Sequence, residues 1–233
     1  MSGSSKLDRA SSLRGTSGDL TLYFVRHGES VANLSDRNGS KRPDDADRLS
    51  EHGWEQARGL GRRLEGVGIE LIVASTMRRA QETAQGINET LGLEIQTDPD
   101  LHELKQSDAF YASGPDFGDT ASLNWMPTSP RDFSTDGAES FDEMCARVLR
   151  VRERMEARGP EERILLVTHY GWMHFLLGLT LFREDFGPEH LMGLWLAGHA
   201  NTGISVFERK PRRMDGMDFS GWGLTTWNDQ AHL

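Results

Sequence analysis

The stretch Leu20-Thr-Leu-Tyr-Phe-Val-Arg-His-Gly-Glu-Ser30 decides how the rest of the chain is organised. Its apolar part, Leu20 to Val25, is rich in β-branched and aromatic residues, which predicts a buried strand. Arg26, His27 and Gly28 follow directly. Ligands in open α/β sheets bind beyond the carboxyl ends of the strands, so we expect these residues at a ligand site. Arginine offers a fork of donors for phosphate or carboxylate, and histidine can act as a nucleophile or a base.

Alternating strands and helices predict the fold class. Ser50 caps the first predicted helix and Ser75 opens the second, each with apolar residues at helical spacing. Ser140 and Glu143 form a predicted capping box before another helix. After the first strand, the predicted elements are helix 51–64, strand 70–74, helix 77–91, strand 93–97, a helix after residue 140, strand 163–168, helix 171–179 and strand 203–207. This order predicts an α/β architecture with a largely parallel central sheet.

Other segments lack such periodicity. Residues 1–18 are rich in Ser and Gly and are expected to be a flexible tail, which leaves residues 19–233 as a single domain. Residues 29–48 are predicted to form a loop, and the chain after residue 210 is predicted to be mostly irregular. Residues 104–137 combine Gly, Pro and Ser with several aromatics. They are either an insertion that covers the active site or a small helical insertion that packs on the body of the domain.

Composition limits the classes of function. The 233 residues carry a net charge of −10, which argues against a general nucleic-acid binder. No apolar run is long enough to span a membrane. The single cysteine, Cys145, excludes an intrachain disulfide framework and a thiolate zinc site. A reducing, cytoplasmic location is therefore the expectation.

Four pieces of the chain are expected to meet at one edge of the sheet. Arg26 and His27 end the first strand, and His169 ends the strand 163–168. Residues 75–80, Ser-Thr-Met-Arg-Arg-Ala, connect a strand to a helix, and Glu103 follows the strand 93–97. Two arginines and two histidines can bind a phosphoryl group, and the carboxylate of Glu103 can act as an acid beside it. Phosphoryl transfer needs mainly positioning and stabilisation of negative charge, which such a set supplies.

With these motifs the chain resembles the histidine phosphatase superfamily, whose fold is phosphoglycerate mutase-like. The resemblance is carried, in order, by the RHG motif in Leu22–Ser30 with Ala32-Asn33 behind it, Leu49-Ser-Glu-His-Gly53 with Gln56-Ala57, Ser75–Ala84, Leu101-His-Glu103, Gly137-Ala-Glu-Ser140, Val167-Thr-His169 and Asn201. These matches span nearly all of the predicted domain. The resemblance implies a three-layer α/β/α sandwich.

The resemblance also implies roles for the residues at the sheet edge. His27 is expected to be the nucleophile that forms a phosphohistidine, while Arg26, Arg79 and His169 hold the phosphoryl oxygens. Glu103 is expected to protonate the leaving oxygen and then to deprotonate the attacking water. The arginines and the histidine stand in for a cation, so neither a metal nor a cofactor is expected.

Further residues complete the expected binding set. Asn33 and Asn201 are expected near the phosphate or the substrate. Tyr170 stands where the family more often has a small residue, so its phenol either narrows the pocket mouth or points into the core. Family spacing selects Arg79 over the adjacent Arg78. Glu103 has rival carboxylates nearby, namely Asp98, Asp100 and Asp108.

The expected function is a metal-independent phosphomonoesterase acting through a phosphohistidine on a small phosphorylated metabolite or related phosphomonoester. One alternative is a cofactor-dependent phosphoglycerate mutase, which returns the phosphoryl group to a hydroxyl of a sugar acid. Another is a catalytically weak scaffold or binding protein that keeps the fold. The expected partner is the phosphorylated substrate, with no nucleic acid and no membrane.

Overall fold

A six-stranded sheet forms the centre of the computed structural model. Its strands are β1 (Leu20–Arg26), β2 (Leu71–Ala74), β3 (Ile95–Thr97), β4 (Arg163–Thr168), β5 (Ile204–Lys210) and β8 (Gly221–Asp229). Their spatial order is β3–β2–β4–β1–β5–β8. Strands β1 to β4 run parallel, β5 is antiparallel to β1, and β8 is antiparallel to β5. The predicted α/β fold with a largely parallel sheet is confirmed.

Helices connect these strands. In the part of the chain that the structure describes they are α1 (Val31–Arg37), α2 (Glu51–Leu64), α3 (Arg78–Leu91), α4 (Phe141–Glu156), α5 (Tyr170–Leu181) and α6 (Pro188–Leu196). Short 3-10 turns span Pro99–Leu101 and Arg183–Asp185. The short strands β6 (Arg213–Met214) and β7 (Met217–Asp218) pair with each other.

The described residues are 20–107, 129–135, 137–159, 162–210, 213–218 and 221–233. The predicted tail, residues 1–18, lies outside them. Within the predicted insertion 104–137, residues 108–128 and 136 also lie outside them.

Alternate residues of β1 pack on opposite faces of the sheet, because side chains alternate along a strand. Leu22 and Phe24 belong to an apolar cluster that includes residues of α4 and α5. Tyr23 and Val25 belong to a second cluster with residues of α2 and α3. The ring of Phe24 stacks on that of Trp172 of α5, with centroids 5.3 Å apart. Helices therefore cover both faces, as in a three-layer α/β/α sandwich.

The turn after β1 packs against the start of α2 with no room for side chains. A Cβ atom on Gly28 would lie 2.7 Å from the carbonyl oxygen of Gly53, and one on Gly53 would lie 2.1 Å from that of Glu29. These contacts are between backbones, which cannot move aside cheaply. Both positions therefore require glycine, and the close fit fixes the backbone beside His27.

The predicted loop 29–48 is wrong in its first part, where α1 forms. A capping box begins this helix: Ser30 Oγ accepts from the Asn33 N–H at 3.2 Å, and Asn33 Oδ1 accepts from the Ser30 N–H at 3.2 Å. With only seven residues, α1 is too short to show an apolar period. The local polar pattern, rather than periodicity, was the available signal.

Two further expectations are corrected by the structure. Ser75 does not cap α3, whose N-cap is Met77 and makes no side-chain cap bond. Instead, the Arg78 N–H donates to Asp47 Oδ2 at 2.8 Å. The chain after residue 210 is not mostly irregular, because β8 pairs along β5. Its residues are nearly all half-buried and the pairing is interrupted by an irregular register, so the sequence shows no clean alternation.

Candidate active site

His27 lies at the carboxyl end of β1 and is 3% exposed. Its Nδ1 is 2.7 Å from the Gly28 carbonyl oxygen. Because a carbonyl only accepts, Nδ1 carries the proton and the lone pair is on Nε2. Nε2 accepts a hydrogen bond of 3.0 Å from Arg79 Nε. The imidazole is thus held in the tautomer that presents a nucleophilic nitrogen to the site.

Two guanidinium groups flank this imidazole. Arg79, at the start of α3, contacts His27 and also pairs with Asp47, whereas Arg78 points outward to Glu82. Arg26 donates from Nη1 to the His199 carbonyl at 2.7 Å. The Nε of Arg26 is buried and has no hydrogen-bond partner among the described residues. Its side chain therefore keeps an unused buried donor beside His27.

His169 lies at the carboxyl end of β4, fully buried, with its ring centroid 5.2 Å from that of His27. Its Nε2 is 2.8 Å from Ser75 Oγ. Ser75 Oγ accepts from the Met77 N–H at 3.3 Å, which leaves the hydroxyl hydrogen for His169. Nδ1 of His169 is buried and has no partner in the described part of the chain. Because Ser75 donates to Nε2, the proton of the neutral imidazole is on Nδ1 of His169.

Positive charge and burial keep both imidazoles neutral. The pKa of His27 is lowered well below its usual value, first by burial and then by the charges of Arg79 and Arg26. The pKa of His169 is lowered well below its usual value by burial, then by Arg79 and His27. A neutral imidazole can attack phosphorus, whereas an imidazolium cannot.

Asn33 and Asn201 lie together beside His27. Asn201 Nδ2 is 2.9 Å from the His27 carbonyl oxygen and 3.4 Å from Asn33 Oδ1. Asn33 also serves α1 through its bond to Ser30. Both predicted residues therefore lie beside His27, and both already make contacts that support the backbone.

Tyr170 packs its ring under Arg26, with the guanidinium carbon 5.0 Å from the ring centroid. Its hydroxyl donates to the Trp195 carbonyl at 2.9 Å, on the side of α6. The phenol thus points away toward the body of the domain, while the half-buried ring supports a site arginine. The hydroxyl is thus directed to the backbone of α6, and Tyr170 belongs to neither apolar cluster.

Glu103 sits in the connection after β3 with its carboxylate at the start of α5. Oε1 accepts from the Leu104 N–H at 2.9 Å and the Trp172 N–H at 3.2 Å, and Oε2 accepts from the Gly171 N–H at 3.3 Å. A Cβ on Gly171 would lie 2.8 Å from Oε1. The carboxylate and the β4–α5 turn that bears His169 are therefore in direct contact. Its negative charge also reaches Arg26, since it raises the pKa of that group against the lowering by burial.

Sequence reasoning missed two side chains that orient this site. The sequence has Ser75 open a helix within the connection 75–80 expected at this sheet edge, but it does not indicate the contact of its hydroxyl with His169. Asp47 comes from an irregular polar segment, and only the folded chain brings it to Arg79. The described residues contain no group of three or more His, Cys, Asp and Glu side chains that could hold a metal ion. None of the described helices has the length and apolarity needed to cross a membrane.

The chain is similar to known phosphatases and mutases. A sequence model of the histidine phosphatase superfamily (branch 1) matches residues 22–228. The adenosylcobalamin/alpha-ribazole phosphatase of Escherichia coli (strain K12) is 29% identical over 205 residues, covering 85% of this chain and 99% of that protein. The 2,3-bisphosphoglycerate-dependent phosphoglycerate mutase of Methylobacterium sp. (strain 4-46) is 32% identical over 193 residues, covering 75% of this chain and 86% of that protein. A mycobacterial glucosyl-3-phosphoglycerate phosphatase superposes with a TM-score of 0.68 at 26% identity, covering 91% of this chain and 100% of that one.

Proposed function

Because the chain belongs to the histidine phosphatase superfamily (branch 1), we propose that it is a metal-independent phosphomonoesterase that works through a phosphohistidine on His27. The observation that carries this proposal is the His27 ring, buried and held by the Gly28 carbonyl with Nε2 directed to Arg79. Arg79 and Arg26 beside this ring are donors of the kind that bind phosphoryl oxygens.

In the first step, the Nε2 lone pair of His27 attacks phosphorus and the bond to the leaving oxygen breaks. Glu103 gives its proton to that oxygen, so the alcohol leaves neutral. Arg26, Arg79 and His169 donate to the three equatorial oxygens, where negative charge accumulates. These donors fill the role that a bound cation fills in other phosphatases, which supports independence from metals.

In the second step, water attacks the phosphohistidine. Glu103 takes a proton from the water, the phosphorus–nitrogen bond breaks, and its electron pair returns to Nε2. Inorganic phosphate leaves, and both His27 and Glu103 are restored to their starting protonation. The cycle thus consumes one water for each phosphomonoester and needs no other reactant.

The substrate proposed is a small phosphorylated metabolite or related phosphomonoester. The E. coli relative is named an adenosylcobalamin/alpha-ribazole phosphatase and the mycobacterial structure a glucosyl-3-phosphoglycerate phosphatase, so proteins of this fold are named for different phosphomonoesters. The resemblance to a 2,3-bisphosphoglycerate-dependent mutase supports a second candidate, phosphoglycerate mutase. The two differ in the lifetime of the phosphohistidine, which is short in a phosphatase and long in a mutase.

The test is hydrolysis of p-nitrophenyl phosphate with a metal chelator present, by wild type and by His27→Ala. We expect chelator-resistant turnover in wild type and its loss in the variant. His52→Ala is the matched control, because His52 is exposed on α2 and contacts neither site histidine. Circular dichroism should show that both variants fold.

Several outcomes would oppose the proposal. Turnover retained by folded His27→Ala removes His27 as the nucleophile, and turnover lost with chelator removes metal independence. If wild type hydrolyses nothing but holds phosphate on His27 after exposure to bisphosphoglycerate, the mutase is favoured instead.

A further inference from the structure

Arg147 of α4 is a buried cation that the two chemical steps do not use. It is 8% exposed, and its Nε and Nη2 donate to Glu139 Oε1 and Oε2, each at 2.7 Å. This two-pronged pair is itself almost inaccessible to solvent. Buried ion pairs contribute little net stability because both charges lose their hydration, so the pair calls for an explanation other than stability.

The other donors of Arg147 hold the segment that carries Glu103. Nη1 donates to the carbonyl oxygens of Asp100 at 2.9 Å and His102 at 2.5 Å, and Nη2 lies 3.4 Å from that of Glu103. Glu139 binds the same segment, because its N–H donates to the Lys105 carbonyl at 2.9 Å. Arg147 and Glu139 therefore clamp residues 100–105 on both sides of Glu103.

The clamp acts on the backbone, while α5 acts on the carboxylate. The Glu103 side chain is held by the N–H groups of Gly171 and Trp172. Residues 102–107 form no helix or strand. His102, Glu103 and Lys105 line a cleft of about 540 Å³ together with Arg147 and Glu139, while Leu101 and Leu104 pack in the apolar core. The direction of the carboxylate thus depends on where Arg147 and Glu139 hold the backbone between these packed side chains.

We infer that Arg147 and Glu139 are positioning residues for the acid–base step, acting through the backbone of residues 100–105 on Glu103. The inference rests on the proposed function, because it assumes that Glu103 protonates the leaving oxygen. General acids require hydrogen-bond reach of the reacting atom, and a displacement of about 1 Å can cost about 100-fold in rate. A clamp that fixes the backbone supplies this accuracy.

The experiment compares two substrates, since only a poor leaving group depends strongly on an acid. In Arg147→Lys the charge remains but the fork is lost. We expect kcat on phenyl phosphate to fall by about tenfold or more, while kcat on p-nitrophenyl phosphate changes by less than about threefold. Glu103→Gln should show the same pattern. The double variant Arg147→Lys/Glu103→Gln should be no slower than Glu103→Gln alone, because the clamp has no acid left to aim.

The matched control is Arg150→Lys. Arg150 also lies on α4 and pairs with the Asp100 carboxylate, but its side chain is 51% exposed and it does not bind the carbonyls of the segment. It should leave both rates within about twofold, since exposed ion pairs contribute little. If Arg147→Lys does not fold, Glu139→Gln tests the same clamp from the other side.

The results separate this inference from the proposed function. Wild type inactive on both substrates opposes the proposed function itself. An active wild type with equal losses on both substrates in Arg147→Lys, or additive losses in the double variant, means that the pair only supports the fold and overturns the inference.

Discussion

The ends of β1 and β4 make an instructive comparison. The strands are neighbours in parallel register, Val25 opposite Val167, and each delivers a buried histidine to the same edge. His27 is held through Nδ1 and presents Nε2, whereas His169 is held through Nε2 and its Nδ1 has no partner among the residues that the structure describes. Each strand end brings an imidazole to the site. The hydrogen bond that each ring makes, to the Gly28 carbonyl or to the Ser75 hydroxyl, decides which of its nitrogens stays available.

The glycines that follow these two strands differ in what they pack against. Gly28 is pressed against the backbone of Gly53, so it serves the fold. Gly171 is pressed against the side chains of Glu103 and Leu104, so it leaves space for the proposed acid. One strand end is thus locked to a helix start, and the other is fitted to a carboxylate.

The largest expected effect comes from removing each imidazole in turn. His27→Ala should lose at least about 10⁴-fold in kcat and form no phosphoenzyme, as when a nucleophile is deleted. His169→Ala should lose about 10² to 10³-fold, the usual cost of one charge-stabilising donor, and should still form phosphohistidine. Rapid-quench mass spectrometry of the intact protein measures the phosphoenzyme. A phosphorylated His27→Ala protein would reverse the two roles.

The next effect concerns Gly171. Gly171→Ala places a Cβ 2.7 Å from Leu104 Cδ2 and 2.8 Å from Glu103 Oε1, so the carboxylate must move. We expect about a 100-fold loss of kcat on phenyl phosphate, with a smaller loss on p-nitrophenyl phosphate. Gly193→Ala on α6 is the control, because its Cβ would meet no atom of the described residues within 4 Å apart from the backbone of its own helix. An unchanged ratio between the two substrates would mean that Glu103 is not the acid.

A smaller effect is expected from Ser75→Ala. This change removes the 2.8 Å contact to His169 Nε2 and frees the ring to take either tautomer. A lost hydrogen bond of this kind is worth about 1 kcal/mol, which corresponds to about a fivefold change in rate. Steady-state kinetics should show the loss in kcat, and Ser75→Thr, which keeps a hydroxyl, should restore part of it. An unchanged kcat in Ser75→Ala would remove the proposed tautomer control.

The smallest expected effect is on acid dependence. An ordinary histidine, with a pKa of about 6.5, would lose about tenfold in its neutral fraction between pH 7.5 and 5.5. The pKa of His27 is lowered well below that value, first by burial, so its neutral fraction falls less over this range than that of an ordinary histidine. The rate of phosphoenzyme formation, corrected for substrate ionisation, should therefore fall by clearly less than tenfold. A tenfold fall would show an ordinary histidine at this position.

The residues at strand ends were predictable from the sequence, because a buried strand followed by a polar side chain has a defined place in an α/β sheet. His27 and His169 belong to this group, whereas Arg79 lies in the first turn of α3 and was selected over Arg78 by the family resemblance. The connection between Arg147 and Glu103 was not predictable, since it depends on how α4 lies against an irregular segment. The same holds for Asp47, whose contact with Arg79 spans a loop of polar residues without periodicity.

The errors in the fold have a related physical cause. α1 is set by one capping box rather than by an apolar face. β8 lies at the sheet edge, where half-buried residues on both sides mask the alternation that marks a strand. Neither element therefore shows the apolar period by which a helix or a strand is predicted.

β8 has a consequence for anyone who modifies the C-terminal region. Trp227 Nε1 donates to the Gly198 carbonyl at 3.0 Å, and Asn228 Oδ1 accepts from the Ala200 N–H at 2.9 Å. These bonds brace the turn whose His199 carbonyl holds Arg26. Proteolytic trimming or a purification tag that displaces β8 would therefore loosen Arg26, for which we propose phosphoryl binding. A purification tag is better placed at the N-terminal end of the chain.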